Sequence, residues 1–211
     1  TDWVDGGNVG NESNLVMINP GPSGQGVSIG FAKDDVVSLY WEDQKVVNYI
    51  YNGTRWVPNT PVYWENVGDG ISETVKLRAE YVRASALNST QLPEVFLSEI
   101  TTKRYGSVTL NFELVPAKIV YKLKSEGGST DVFTPEELKT ATIVMPDYQR
   151  GYTLANGIFT TDGTKGNIEV ENRTALIIPQ TKSNDLALIS LKGNTYKVSR
   201  TEAQEFLAGK V

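Results

Sequence analysis

The 211-residue chain contains neither cysteine nor histidine. That excludes disulfides, thiol nucleophiles, imidazole bases and the ligand sets that hold zinc, haem or iron–sulfur clusters. It also removes the side chain that ordinarily changes charge between pH 5 and 8. Long apolar runs are missing too. A run such as Ala175 to Ile178 is far shorter than the roughly 20 residues a membrane-crossing helix needs. Positive charge is in deficit, with 20 Lys and Arg against 25 Asp and Glu and a pI near 4.9. Nucleic-acid binders are usually basic, so no nucleic-acid partner is expected.

What is present is alternation. Apolar residues make up 39% of the chain and charged residues 21%, the balance of a folding globular protein. In Val75-Lys76-Leu77-Arg78-Ala79-Glu80-Tyr81 every second residue is apolar, and Val108 to Leu114 and Ile168 to Glu171 repeat the pattern. A period of two predicts strands with one face in a core and one in water. Further strands are predicted over Val36 to Tyr40, Val46 to Tyr51, Lys118 to Leu123, Ala175 to Ile178 and Leu186 to Leu191. Asn52-Gly53, Asn156-Gly157 and Gly193-Asn194 read as two-residue hairpin loops. Such strands and turns indicate an all-β fold of β-sandwiches.

Helix signals are few. Thr134-Pro135-Glu136-Glu137 carries an N-cap, a proline at the first helical position and a glutamate to close a capping box. Thr201 to Phe206 reads as a second short helical turn. The opening to about Gln25, rich in Gly, Asn, Pro and Ser, reads as irregular. The polar spacer Ser125 to Thr130 suggests two domains, 1–126 and 129–211, joined near Gly127-Gly128.

Catalytic chemistry finds little support. The acidic pairs Asp34-Asp35, Glu42-Asp43 and Glu136-Glu137 lack any accompanying motif and read as solvated surface. Asp162 to Gly166 has one acid and a lysine where a calcium loop needs alternating acids, so it reads as a turn. Gly21 to Gly26 lacks the Lys-Ser/Thr ending of a phosphate loop. No catalytic residue, metal site or cofactor is therefore expected. The aromatic cluster is more telling. Tyr40, Trp41, Tyr49, Tyr51, Trp56, Tyr63 and Trp64 crowd one short stretch. Large rings fill sandwich cores, and Trp56 and Trp64 are expected to pack across strands. The alternative is an exposed sugar-binding platform of Trp41, Trp56 and Trp64.

The segments Val47 to Pro58 and Thr60 to Trp64, with "YIYNGTRWVP" ahead of "TPVYW", resemble the N-terminal half of the fimbrillin-like proteins of Bacteroidales. Val27 to Phe31 and Val75 to Tyr81 flank them in the family's order. Val108 to Ile119, Ala141 to Pro146, Gly151 to Leu154, Ala175 to Gln180, Gly193 to Tyr196 and Phe206 to Val211 follow in the family's order too. The resemblance implies two tandem transthyretin-like β-sandwich domains and a non-enzymatic fimbrial or adhesive subunit. It implies export as a lipoprotein through the outer membrane, trimming, and polymerisation at the cell surface by donor-strand exchange. The partners implied are other pilin subunits and host or bacterial surface ligands. The family normally continues past the Gly-Lys element of Gly209-Lys210, so a terminal strand is expected beyond Val211, with Phe206, Leu207 and Val211 in the partner-strand region.

Overall fold

The computed structural model describes residues 14–20, 30–42, 44–83, 89–125 and 132–211. Strands dominate it. In chain order they are β1 (Ile18–Pro20), β2 (Val36–Trp41), β3 (Gln44–Tyr51), β4 (Trp56–Pro58), β5 (Thr74–Arg83), β6 (Glu94–Lys103), β7 (Val108–Leu110) and β8 (Glu113–Leu114). There follow β9 (Ala117–Val120), β10 (Thr142–Gln149), β11 (Tyr152–Ala155), β12 (Ile158–Thr161), β13 (Lys165–Glu169), β14 (Thr174–Ile177), β15 (Gln180–Leu191) and β16 (Asn194–Phe206). Helix among the described residues is confined to α1 (Pro135–Lys139) and short 3-10 turns such as Trp64–Asn66. The fold is therefore all-β, in several sheets.

One sheet runs β4-β3-β2-β5-β6-β8 and another β13-β10-β15-β16, with two-stranded pieces β1-β7, β11-β12 and β14-β9. The chain divides into two units: Thr1–Val82 with Phe96–Glu113, and Arg83–Val95 with Leu114–Val211. The junction expected at Gly127-Gly128 and most of the irregular opening expected before Gln25 lie outside the described residues.

In the first unit the alternation of β5 becomes burial. Val75, Leu77, Ala79 and Tyr81 are buried while Lys76 is exposed. Antiparallel register sets Val37 against Tyr81 and Leu39 against Ala79. Burying each of the larger side chains, Val75, Leu77 and Leu39 among them, contributes about 1.5–3 kcal/mol. Tyr49 is fully buried and its hydroxyl donates to the Val16 carbonyl at 2.6 Å. β1 lies parallel to β7, with Ile18 opposite Val108. Arg104, whose side chain is 4% exposed, donates from Nε to the Ser72 carbonyl at 2.7 Å and from Nη1 to the Trp64 and Val67 carbonyls. A single buried guanidinium thus holds the irregular backbone between Trp64 and Ser72.

In the second unit one core cluster gathers Ala117, Met145, Tyr148, Ile168, Ala175 and Ile177. The capping box forms as its sequence predicts: Thr134 Oγ1 accepts from the Glu137 amide at 3.2 Å, and the Thr134 amide donates to Glu137 Oε1. The Asn156-Gly157 loop also forms, with positive φ at both residues and Ala155 paired to Ile158.

Three local expectations are corrected. At the tip of β15–β16 the loop is Lys192-Gly193, both at positive φ, and Asn194 already pairs with Leu191. Glycine satisfies the second position of such a loop as well as the first, so the chain turns one residue earlier. After β3 the loop spans four residues, since Tyr51 pairs with Trp56. Asn52 Oδ1 accepts from the Thr54 and Arg55 amides, and this side-chain turn displaces the two-residue one. Finally, Thr201 to Phe206 is strand rather than helix, because pairing with β15 overrides local propensity.

Candidate interaction surfaces

The aromatic cluster folds mostly inward. Trp64 is fully buried and Trp56 is 7% exposed. Phe31 meets Trp56 edge-on at 4.9 Å and Tyr81 at 5.1 Å, while Tyr51 lies 5.1 Å from Trp56. Neither Trp56 nor Trp64 offers a ring face to a ligand. Trp41 is half buried at the end of β2, beside Gly68, where a Cβ would come within 3.1 Å of Trp41 Nε1. On the outer side of the sheet Tyr40 carries the Arg78 guanidinium at 4.6 Å and the Lys45 ammonium at 5.9 Å. The three tryptophans therefore do not form one exposed platform.

The proposed partner-strand residues are split as well. Phe206 is half buried, packed on the second core with its ring 6.0 Å from Tyr148. Leu207 and Val211 are 53% and 77% exposed. Between them the chain folds back: the Gly209 amide donates to the Pro116 carbonyl at 3.1 Å, and the Lys118 amide donates to the Lys210 carbonyl at 3.1 Å. Gly209 sits at φ +67°, and a Cβ there would stand 3.0 Å from the Leu114 carbonyl, so glycine permits this close return.

The strand edges of the second unit differ from one another. β13 is covered by residues that sequence patterns did not single out. The Glu169 amide donates to Thr90 Oγ1, and Gln91 Nε2 donates to the Glu169 and Thr174 carbonyls. Gln91 Oε1 accepts from the Leu176 amide at 2.8 Å, and the Leu92 amide donates to the Leu176 carbonyl, which covers β14. Gln91 is 7% exposed and acts as a short strand by itself. No local signal marks such a residue, because all its partners are remote in sequence. β16, by contrast, stands at the end of its sheet.

Beside α1 lies an open groove of about 680 Å³, lined by Tyr121, Leu123, Val132, Phe133 and Leu138 among others. Arg173 braces its wall by donating to the Leu138 and Ala141 carbonyls. Burial pushes the Tyr121 phenol up to about 12. Burial likewise raises Tyr148, with Tyr121 nearby adding to it. The groove thus joins an apolar floor to a basic rim of Lys124, Lys139 and Arg173. Among the described residues no cluster of three or more acidic side chains could hold a metal ion.

No protein-family model matches the chain, and no curated protein matches its sequence. Its fold has solved counterparts. A candidate cell adhesion protein from Bacteroides thetaiotaomicron is similar at a TM-score of 0.56 and 16% identity, over 93% of this chain and 90% of that one. A candidate cell adhesion protein from Bacteroides ovatus is similar at a TM-score of 0.51 and 14% identity, over 92% of this chain and 88% of that one. A fimbrial assembly protein from Parabacteroides distasonis is matched more loosely, at 0.42 and 11% identity over 84% and 81% of the two chains. At such identities the first two likenesses are likenesses of fold.

Proposed function

We propose that the chain is a non-catalytic subunit of an adhesive assembly on a bacterial cell surface, a fimbria whose subunits join by strand addition. The observation that carries this reading is the fold held in common, along nearly the whole chain, with two Bacteroides proteins described as candidate cell adhesion proteins. The motifs between Val47 and Trp64 support it. In this reading segments 1–126 and 129–211 are tandem transthyretin-like sandwiches of an exported, trimmed lipoprotein. Its partners are other pilin subunits and surface ligands of host or bacterial cells.

Strand addition has a physical rationale here. A donated strand satisfies open backbone groups and seats alternate side chains in apolar pockets. The groove beside α1 supplies apolar walls, and Leu207 and Val211 supply exposed apolar side chains near the end of β16. A sugar-binding module is the weaker reading, since Trp56 and Trp64 are buried.

The test is expression of the complete gene in a Bacteroides host. An SDS-resistant ladder of high-mass species, accessible to antibody on intact cells, is the expected result. Leu207→Asp with Val211→Asp should shorten that ladder. A single monomer band confined to the cell interior would sink the reading.

A further inference from the structure

β16 is the longest strand among the described residues, and its one neighbour in the sheet is β15. Apart from Tyr196, Gln204 and Phe206, every residue of it is exposed. Natural sheets blunt such an edge with proline, a short strand, a cover, charged side chains or a bulge. β16 contains no proline, while β13, β14 and β9 are covered by residues 90–92 and 209–210. It does carry a bulge. Arg200 pairs with Asn184 and Gln204 with Lys182, so Thr201 to Ala203 have no register partner on β15.

From Thr201 outward, the strand is complementary to itself. Arg200 mirrors Glu202, Ser199 mirrors Ala203, Val198 mirrors Gln204, Lys197 mirrors Glu205 and Tyr196 mirrors Phe206. In two antiparallel copies related by a two-fold axis through Thr201, each mirror pair becomes a directly opposed cross-strand pair. Symmetry doubles both ion pairs, and no like charges meet. Neighbouring registers lose this. Centring on Arg200 or on Glu202 opposes that residue to its own copy, which is destabilising.

We infer that β16 is a homodimer edge, along which two copies of this chain pair antiparallel about Thr201 and merge their sheets. Little has to be given up for it. Lys197 now reaches Asp185 at 3.4 Å and Arg200 Nη1 donates to Gln204 Oε1 at 2.6 Å, both on the surface, where such contacts are weak. The unpartnered bulge at the axis is the part of β16 least committed to its own sheet. The contact is isologous and closes on itself, unlike head-to-tail strand addition. It is independent of the adhesive reading and can fail or stand without it.

Charge reversal tests both the edge and its register. The chain should sediment as a dimer at low salt. Arg200→Glu makes both mirror positions acidic and Glu202→Arg makes both basic, so each variant alone should dimerise about tenfold more weakly or worse. Mixed in equal amounts, the two variants should associate again, because each position then meets its opposite. Both sites are exposed, and unchanged circular dichroism will verify folding. Because the natural chain has no cysteine, Thr201→Cys should cross-link to its own copy on mild oxidation. Lys197→Cys should cross-link to Glu205→Cys and not to itself. Directly opposed residues fall within disulfide reach. A chain that stays monomeric at about 1 mM overturns the inference. So does a dimer indifferent to both reversals, a mixture that fails to re-associate, or an open-ended ladder in place of a dimer.

Discussion

The two units are held together by different means. The first is built on large rings, with Trp64, Tyr49, Tyr81, Phe96 and Phe112 all fully buried and one arginine pinning the loop beside them. The second has a core of smaller residues around Tyr148, and much of its order comes from polar groups that close strand edges. Stability concentrated in a few large side chains is brittle at those positions and tolerant elsewhere. Stability spread over edge contacts is less sensitive to any one side chain but depends on buried hydrogen bonds. The described tryptophans, at positions 41, 56 and 64, all fall in the first unit. Intrinsic fluorescence therefore reads that unit, whereas far-ultraviolet circular dichroism reads both.

The largest effect should come from Trp64→Ala. Removing a fully buried indole is expected to cost about 3–5 kcal/mol, seen as an earlier fluorescence transition in urea. A variant with an unchanged midpoint would remove the contrast between the units. Gln91→Leu should come next. It keeps the bulk but removes the side-chain bonds to the Glu169 and Thr174 carbonyls and takes the acceptor from the buried Leu176 amide. Leaving buried groups unsatisfied costs about 1–3 kcal/mol. The midpoint followed by circular dichroism should fall, with tryptophan emission of the folded state unchanged.

The smallest effects are those of pH, and they sharpen the comparison because three groups in each direction divide unevenly. Asp69 in the first unit is lowered to about 2, chiefly by hydrogen bonds from Ser72 and Ile71. Asp162 and Asp185 in the second are lowered, mainly by hydrogen bonds from Thr164 and from Ser199. A depressed carboxylate binds fewer protons folded than unfolded, so its contribution is present above about pH 4 and is lost as pH falls toward 2. Tyr49 in the first unit, and Tyr121 and Tyr148 in the second, are raised by burial. Their contribution is present below about pH 10 and is lost as pH rises beyond it. With no histidine in the chain, the melting temperature should be nearly flat from about pH 6 to 9. It should decline on both sides, with circular dichroism affected before fluorescence. A step near neutrality would contradict this account.

The sequence made much of the framework legible where local pattern and burial agree. β5 alternates in sequence and in exposure, and the Thr134 box and the Asn156-Gly157 loop carry their geometry in their own residues. β6 was illegible because Val95 and Phe96 are buried side by side, which erases the period of two. The end of β16 misled because Glu, Ala and Gln favour helix until a distant strand recruits them. For the surfaces, composition identified the crowded rings but not which way they face, since alternation assigns sides only within a known register. Arg104 and Gln91 left no trace at all: each bonds to backbone groups far along the chain, and no spacing encodes that.

The parallel pairing of β1 with β7 has a consequence in time. Ile18 meets Val108, about 90 residues later. At the ~5–20 residues per second of ordinary synthesis, roughly 5–18 s pass before the second member exists. Through that interval the neighbouring hairpin of β2 and β3 can already close, since its partners are adjacent in sequence. β1 therefore joins late, as a three-residue piece on a scaffold formed without it, and late short additions are also the first to detach. The beginning of the first unit is thus a stage at which assembly is still reversible, well after the centre of its sheet has ceased to be.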